Sequence, residues 1–280
     1  MRTYFTQMMG YLFLAFILLL IGLFFSLANL RMRDANFQDV LSNTTLFFLF
    51  LVPILTMRLF AEEARHKTDQ LLYTSPLSVT QIVLGKFFAA FTLFMFAAII
   101  TMILPFMLSI YADSLPMSRI IGAYIGWILV GVGCIAVGVF VSVLTDNQIV
   151  AAAGTFAALF VMFLMDAFAI SMPTSVFASI AFVALIVVAI AGIWFNSTRN
   201  VVSSIAVALV GVAVVIGLYL INNQIYDGII VRVLNWFSIY ARFNRLAVGV
   251  LNISDIVYYI SFIALFIYLS INVIEKRRWR

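Results

Sequence analysis

The sequence predicts an all-α, polytopic integral membrane protein, with eight transmembrane helices in one domain, 1–280. Three observations predict it. Apolar residues make up 65% of the 280, charged residues only 10%, and mean hydropathy is +1.18. A water-soluble domain carries about a quarter of its residues as charges, so the solvent here is lipid. Apolar stretches near the ~20 residues that cross the hydrocarbon recur along the chain. The charges fall between them, above all in one polar island, 58–80, RLFAEEARHKTDQLLYTSPLSVT.

The expected spans are 8–28, 40–57, 82–110, 118–144, 148–169, 175–195, 201–221 and 254–274. The first follows Arg2 and ends at Ser26-Leu27-Ala28, as a signal peptide could. Its apolar run exceeds the usual ~7–15 residues of such peptides, so a retained span is expected. Pro53 and Pro105 lie inside the second and third spans, where a missing donor predicts a kink whose freed carbonyl is satisfied by a neighbour. Spans three and four are longer than the bilayer needs, which predicts tilt. In span four, Gly122 and Gly126 form GxxxG and Gly133 continues the face, predicting close helix packing within or between chains. Asp166 sits about one turn from the outer end of span five, where a carboxylate costs little. Spans six and seven are separated only by the turn 196–200.

With the N-terminus inside, inner ends carry Arg2, Arg58, Arg65, Lys67, Lys86, Arg199, Lys276, Arg277, Arg278 and Arg280. Outer segments carry Arg31, Arg33, Arg119, Arg232, Arg242 and Arg245. The positive-inside rule then puts both termini and the island in the cytoplasm.

Chemistry on this chain is not expected. Cys134 and His66 are the lone cysteine and histidine, and HExxH and GxSxG are absent. Gly85-Lys86 fails as a P-loop end, because Thr80 replaces the first glycine and Phe87 the Mg²⁺-binding hydroxyl. No catalytic residue, metal site or cofactor is therefore expected. The cluster Lys276, Arg277, Arg278 and Arg280 follows a span and anchors it to anionic lipid, without pointing to nucleic acid.

Within the island, Leu59, Phe60, Ala64, Leu71 and Leu72 are apolar, while Glu62, Glu63, Arg65, His66, Lys67 and Asp69 are polar or charged. Two short helical pieces are expected, with Glu62–His66 and Glu63–Lys67 paired at i, i+4. Ser75-Pro76 marks a turn. Ser78 is placed to cap the third span, with Gln81 closing a capping box. These residues fit either a connector lying on the headgroups or a handle for an aqueous partner.

Segment 222–253 carries a stripe, Arg232, Asn235, Ser238, Arg242 and Arg245, at steps of three and four. Trp236, Phe237, Tyr240, Phe243, Leu246 and Val250 fill the other faces. One amphipathic helix is expected, lying in the outer interface as a passive anchor or re-entrant within the outer leaflet.

The run Met57-Arg58-Leu59-Phe60-Ala61-Glu62-Glu63, then 68–78 (TDQLLYTSPLS) and 82–87 (IVLGKF), resembles ABC-2-type ABC transporter permeases, nearest the gliding-motility-type subunits. The blocks 144–152 (LTDNQIVAA) and 251–280 extend the resemblance, which covers about a third of the chain. It implies a six-span core, with 175–221 as an additional pair, in a bacterial plasma (inner) membrane. It implies that the island is a coupling helix docking on an ATP-binding-cassette subunit through Arg58, Glu62, Glu63, Arg65 and Lys67, with Leu59 and Phe60 seating it. ATP and Mg²⁺ would be bound by that partner, and a second permease chain, identical or related, would complete the pore. Short helices before the last span gate the outer mouth in such permeases; here these residues are Arg232, Trp236, Phe237, Tyr240, Arg242, Phe243 and Arg245.

Two other classes fit less well. An ion-coupled carrier needs charges at mid-span or paired broken helices. A force-transmitting subunit that moves no solute would carry the same island. The Phe-, Leu-, Ile-, Val- and Ala-rich spans favour an amphipathic cargo.

Overall fold

A computed structural model describes residues 8–68, 77–111, 115–198, 203, 205–206, 208–211 and 228–278. The expected second helical piece of the island, the Ser75-Pro76 turn, most of span 201–221, and Arg2, Arg199 and Arg280 lie outside them. The described residues form helices and turns, with no strand. They are α1 (Met8–Phe25), continued by a π-helical turn (Ser26–Arg31), α2 (Phe37–Thr45), α3 (Phe48–Thr56), α4 (Ala61–His66), α5 (Val79–Thr101) and α6 (Ile103–Tyr111). After them come α7 (Met117–Leu144), α8 (Gln148–Ser171), α9 (Val176–Thr198), α10 (Ile229–Phe237), α11 (Tyr240–Ala247) and α12 (Ile253–Arg278).

Five helical stretches are long and apolar enough to cross a membrane: α1 with its π turn, α5–α6, α7, α8 and α12. The bent pair α2 and α3–α4 makes a sixth. Helix α9 covers the expected sixth of eight spans. The chain divides into two compact units, Met1–Met162 with Ile239–Arg280, and Phe163–Ser238. In the second unit, a methyl on Gly211 would meet Val187 at 2.4 Å, so 208–211 lie close against α9.

In the first unit α7 is the axis, packed by α2, α3, α4, α5, α11 and α12. Its apolar stretch is 72% buried, against 17% for α12. Lipid tails are as apolar as leucine, so shape and small residues hold such helices together. Phe48, Phe94 and Trp127 form an aromatic knot with centroids 4.9–5.6 Å apart. Gly131 admits the Phe94 ring, where a methyl would lie at 2.3 Å.

The bend in the second span, 57°, falls between α2 and α3 rather than at Pro53. Thr44 and Thr45 donate back to the Val40 and Leu41 carbonyls at 2.7–3.0 Å. Such back-bonding bends helices, and Pro53 is absorbed within α3. In the third span the break at Met102 sits just before Pro105, as expected. A proline frees the carbonyl four residues back, here Thr101. The Tyr124 hydroxyl of α7 donates to that oxygen at 2.9 Å. Ser78 and Gln81 make the expected reciprocal capping box on α5.

The segment expected to be one helix before the last span is two. It breaks at Ser238, whose extended backbone (φ −73°, ψ 119°) separates α10 from α11.

Candidate functional site

The site is built where span two leaves the bilayer stack. Helix α3 ends at Thr56, and a methyl on Gly138 of α7 would meet the Thr56 hydroxyl at 2.3 Å, so the two helices touch. The chain then turns and starts α4. A helix start leaves N–H groups unpaired, and Phe60 at the cap has no side chain to accept them. Ser142, one turn beyond Gly138 on α7, does so instead. Its oxygen accepts the Phe60 and Ala61 N–H groups at 3.1 and 3.3 Å, and its hydroxyl donates to the Met57 carbonyl at 3.5 Å.

Lys86 of α5 grips the same segment from the other side. Its ammonium donates to the Leu59 carbonyl at 2.5 Å, pairs with the Glu63 carboxylate, and lies 4.1 Å from the Phe60 ring centroid. Both charges are half-buried, and a desolvated cation gains more from the ring face than one in water. Leu59, Phe60 and Ala61 are 4%, 8% and 0% exposed. Every apolar residue at the base of α4 is therefore covered by protein.

The far end of α4 is different. Glu62 is half-buried, whereas Arg65, His66 and Lys67 are exposed. Lys67 is left-handed (φ 56°), and the Thr68 N–H bonds the Glu63 carbonyl at 3.0 Å, closing the helix. Glycine normally fills that position; a lysine there costs about 1–2 kcal/mol. The left-handed turn also takes Lys67 off the helical register, and Glu63 pairs with Lys86 in place of the expected Lys67. Arg58 is half-buried, and its Nε has no hydrogen-bond partner. Nearby in the fold, Arg277 of α12 ties the end of α7, donating to the Leu144 carbonyl at 3.1 Å and pairing with Asp146 at 3.4 Å.

At the opposite end of α7, α11 lies on Gly122 and Gly126. A methyl on Gly122 would meet the Leu246 carbonyl at 2.3 Å, and one on Gly126 the Phe243 ring at 3.0 Å. Gly133 has ordinary clearance, 3.7 Å to Phe262, so the tight face ends before it. Phe243 and Leu246 are fully buried. The arginines of α11 turn to the last span. Arg245 makes a forked pair with Asp255 at 2.5 and 3.2 Å, and Arg242 reaches the same carboxylate at 3.8 Å while lying 3.5 Å over the Tyr258 ring. Asp255 is 1% exposed, in the first turn of α12, where the helix dipole favours an anion. That hydrogen-bonded carboxylate pushes the Arg245 guanidinium further up. The Tyr259 hydroxyl donates to the Ile239 carbonyl at 2.5 Å. Of the remaining expected residues, Arg232, Trp236 and Phe237 lie on α10, in the second unit. Tyr240 opens α11 and packs on Phe243 at 5.6 Å.

Sequence reasoning missed the parts played by Ser142, Gly138 and Asp255 and expected Lys86 only to snorkel to the inner interface. Lys86 carried the clearest signal, a lone cation two turns into an apolar helix. Asp255 lay ten residues from Arg245 in the sequence, with its carboxylate in the first turn of a span. A serine in an apolar run carries no such mark.

A family model described as ABC-2 family transporter protein matches residues 2–181, well over half the chain. No curated protein and no solved structure gives a significant match.

Proposed function

This chain belongs to the ABC-2 family of transporter proteins, and we propose that it is the membrane permease that couples a partner ATPase to outward substrate movement. The observation that carries this reading is the clamp on α4. Two different spans, through Ser142 and Lys86, hold the base of a short helix whose tip stays outside. A push on the tip is delivered into α5 and α7 rather than lost in a loose loop. Helix α7 touches most of the first unit, so it is placed to pass the displacement on.

In this reading Arg58, Glu62, Glu63, Arg65 and Lys67 form the coupling element, and ATP and Mg²⁺ belong to the ATPase. The α4 end faces the cytoplasm, together with Lys276, Arg277 and Arg278, as the positive-inside rule favours. The termini then lie inside, in a bacterial inner membrane. The opposite end carries α11, whose lock on Asp255 forms the outer gate. Two packings differing by a few kcal/mol, biased by the nucleotide state of the partner, are sufficient for alternating access. A second permease chain completes the path. The nearer likeness to gliding-motility-type subunits rests on the blocks 144–152 and 251–280.

The test is Glu63→Lys, which sets two ammonium groups against each other at the clamp. The chain should still insert and bind its ATPase, while chain-stimulated ATP hydrolysis falls. Unchanged stimulation contradicts the coupling role. Vesicles holding the complex separate a transporter from a force-transmitting subunit: only the transporter moves a fluorescent amphiphile in an ATP-dependent way.

A further inference from the structure

The sequence of the island is balanced in charge, with Arg58, Arg65 and Lys67 against Glu62, Glu63 and Asp69. Among the described residues, the charged side chains exposed at the tip of the folded segment are cations, beside the histidine. Glu63 is turned inward and neutralised by Lys86, whereas Arg65, His66 and Lys67 are exposed together. The apolar residues at the base, Leu59, Phe60 and Ala61, are already buried within the chain. A helix that rests on a bilayer needs an apolar face for the acyl boundary, and the described part of this one has none left. The described surface, charged and without an apolar face, suits an aqueous protein partner.

A second observation concerns Lys67. It holds a left-handed backbone at which glycine would be free of strain. Strain kept at such a position points to a use for the side chain, and what the side chain adds is a cation beside Arg65.

We propose that the tip of α4 docks in an acidic cleft of the ATPase subunit, with Arg65 and Lys67 making the charged contacts. Glu63 serves the permease's own clamp instead. This rests on the coupling role proposed above and specifies the chemistry of the partner surface. Rim charges of this kind set association rate and salt dependence more than packing does.

The experiment uses the full chain in lipid nanodiscs and the ATP-binding-cassette subunit that co-purifies with it, produced separately. Binding is measured by surface plasmon resonance at low and high salt. Lys67→Gly combined with Arg65→Gln removes both cations while relieving the strained backbone, so the fold is kept; thermal stability should be equal or higher. The expected result is about tenfold weaker binding at low salt and a flattened salt dependence. Glu62→Gln should bind more tightly, because it removes an anion facing the cleft. Equal or tighter binding by the double variant overturns the proposal and leaves the coupling role standing. Failure of the unaltered chain to bind any such subunit overturns both. An effect seen in anionic but not in neutral nanodiscs assigns the cations to lipid, and that also overturns the proposal.

Discussion

At the residue scale, Tyr124, Ser142, Lys86 and Asp255 each answer a backbone group or a charge that the fold would otherwise leave unpaired. Tyr124 is the clearest case. Pro105 frees the Thr101 carbonyl inside the bilayer, and the phenol of a neighbouring span supplies the missing donor. Tyr124→Phe keeps the ring that stacks on Phe37 at 5.7 Å and removes only that donor. It should cost about 1–3 kcal/mol, read as a lower melting temperature in detergent; an unchanged melt would mean the carbonyl finds another partner. The kink itself was legible from the proline, but its donor was not, because no sequence rule says which facing span will supply a hydroxyl. Ser142 is the same kind of case: an N-cap for α4 supplied from 82 residues away along the chain. Capping is usually read from residues adjoining the helix, and here the adjoining residue is Phe60.

At the element scale, α7 decides the architecture through where its glycines fall. GxxxG at Gly122 and Gly126 could be read from spacing alone, and the structure supplies its mate, α11. Gly131 and Gly138 stand outside that motif and admit Phe94 and Thr56 instead. Gly122→Val should therefore destabilise by about 1–3 kcal/mol through overpacking, whereas Gly133→Ala should be close to neutral. Thermal unfolding of the pair tests the assignment, and equal effects would refute it. The stripe from Arg232 to Arg245 was visible as a period, yet Ser238 divides it into two helices. The half on α11 spends its arginines on Asp255. Asp255→Asn weakens the forked pair and leaves Arg242, only 14% exposed, beside a neutral group. A double-mutant cycle with Arg245→Gln should give a coupling of about 1–3 kcal/mol. A coupling near zero would make the pair incidental.

At the scale of the whole molecule, the all-α membrane class was legible because length and hydropathy are linear properties of a sequence; they predicted eight spans, and the six-span core was what the resemblance implied. The bend of the second span was placed wrongly at Pro53, since proline is a visible cue and back-bonding by Thr44 and Thr45 is a quieter one. The island was legible as a charged segment between two spans; which of its described charges remain exposed was not, because that depends on Lys86 reaching across from α5. What unites the parts is a connection from the tip of α4, through Ser142 and Lys86, into α7 and α5. The most direct test is ATP hydrolysis by the ATP-binding-cassette subunit proposed as partner, in a nanodisc complex, comparing the unaltered chain with Lys86→Met plus Ser142→Ala. If work enters through this clamp, the partner stays bound and its chain-dependent stimulation falls by about tenfold, equivalent to ~1.4 kcal/mol. Full stimulation with both clamp residues removed would contradict the account.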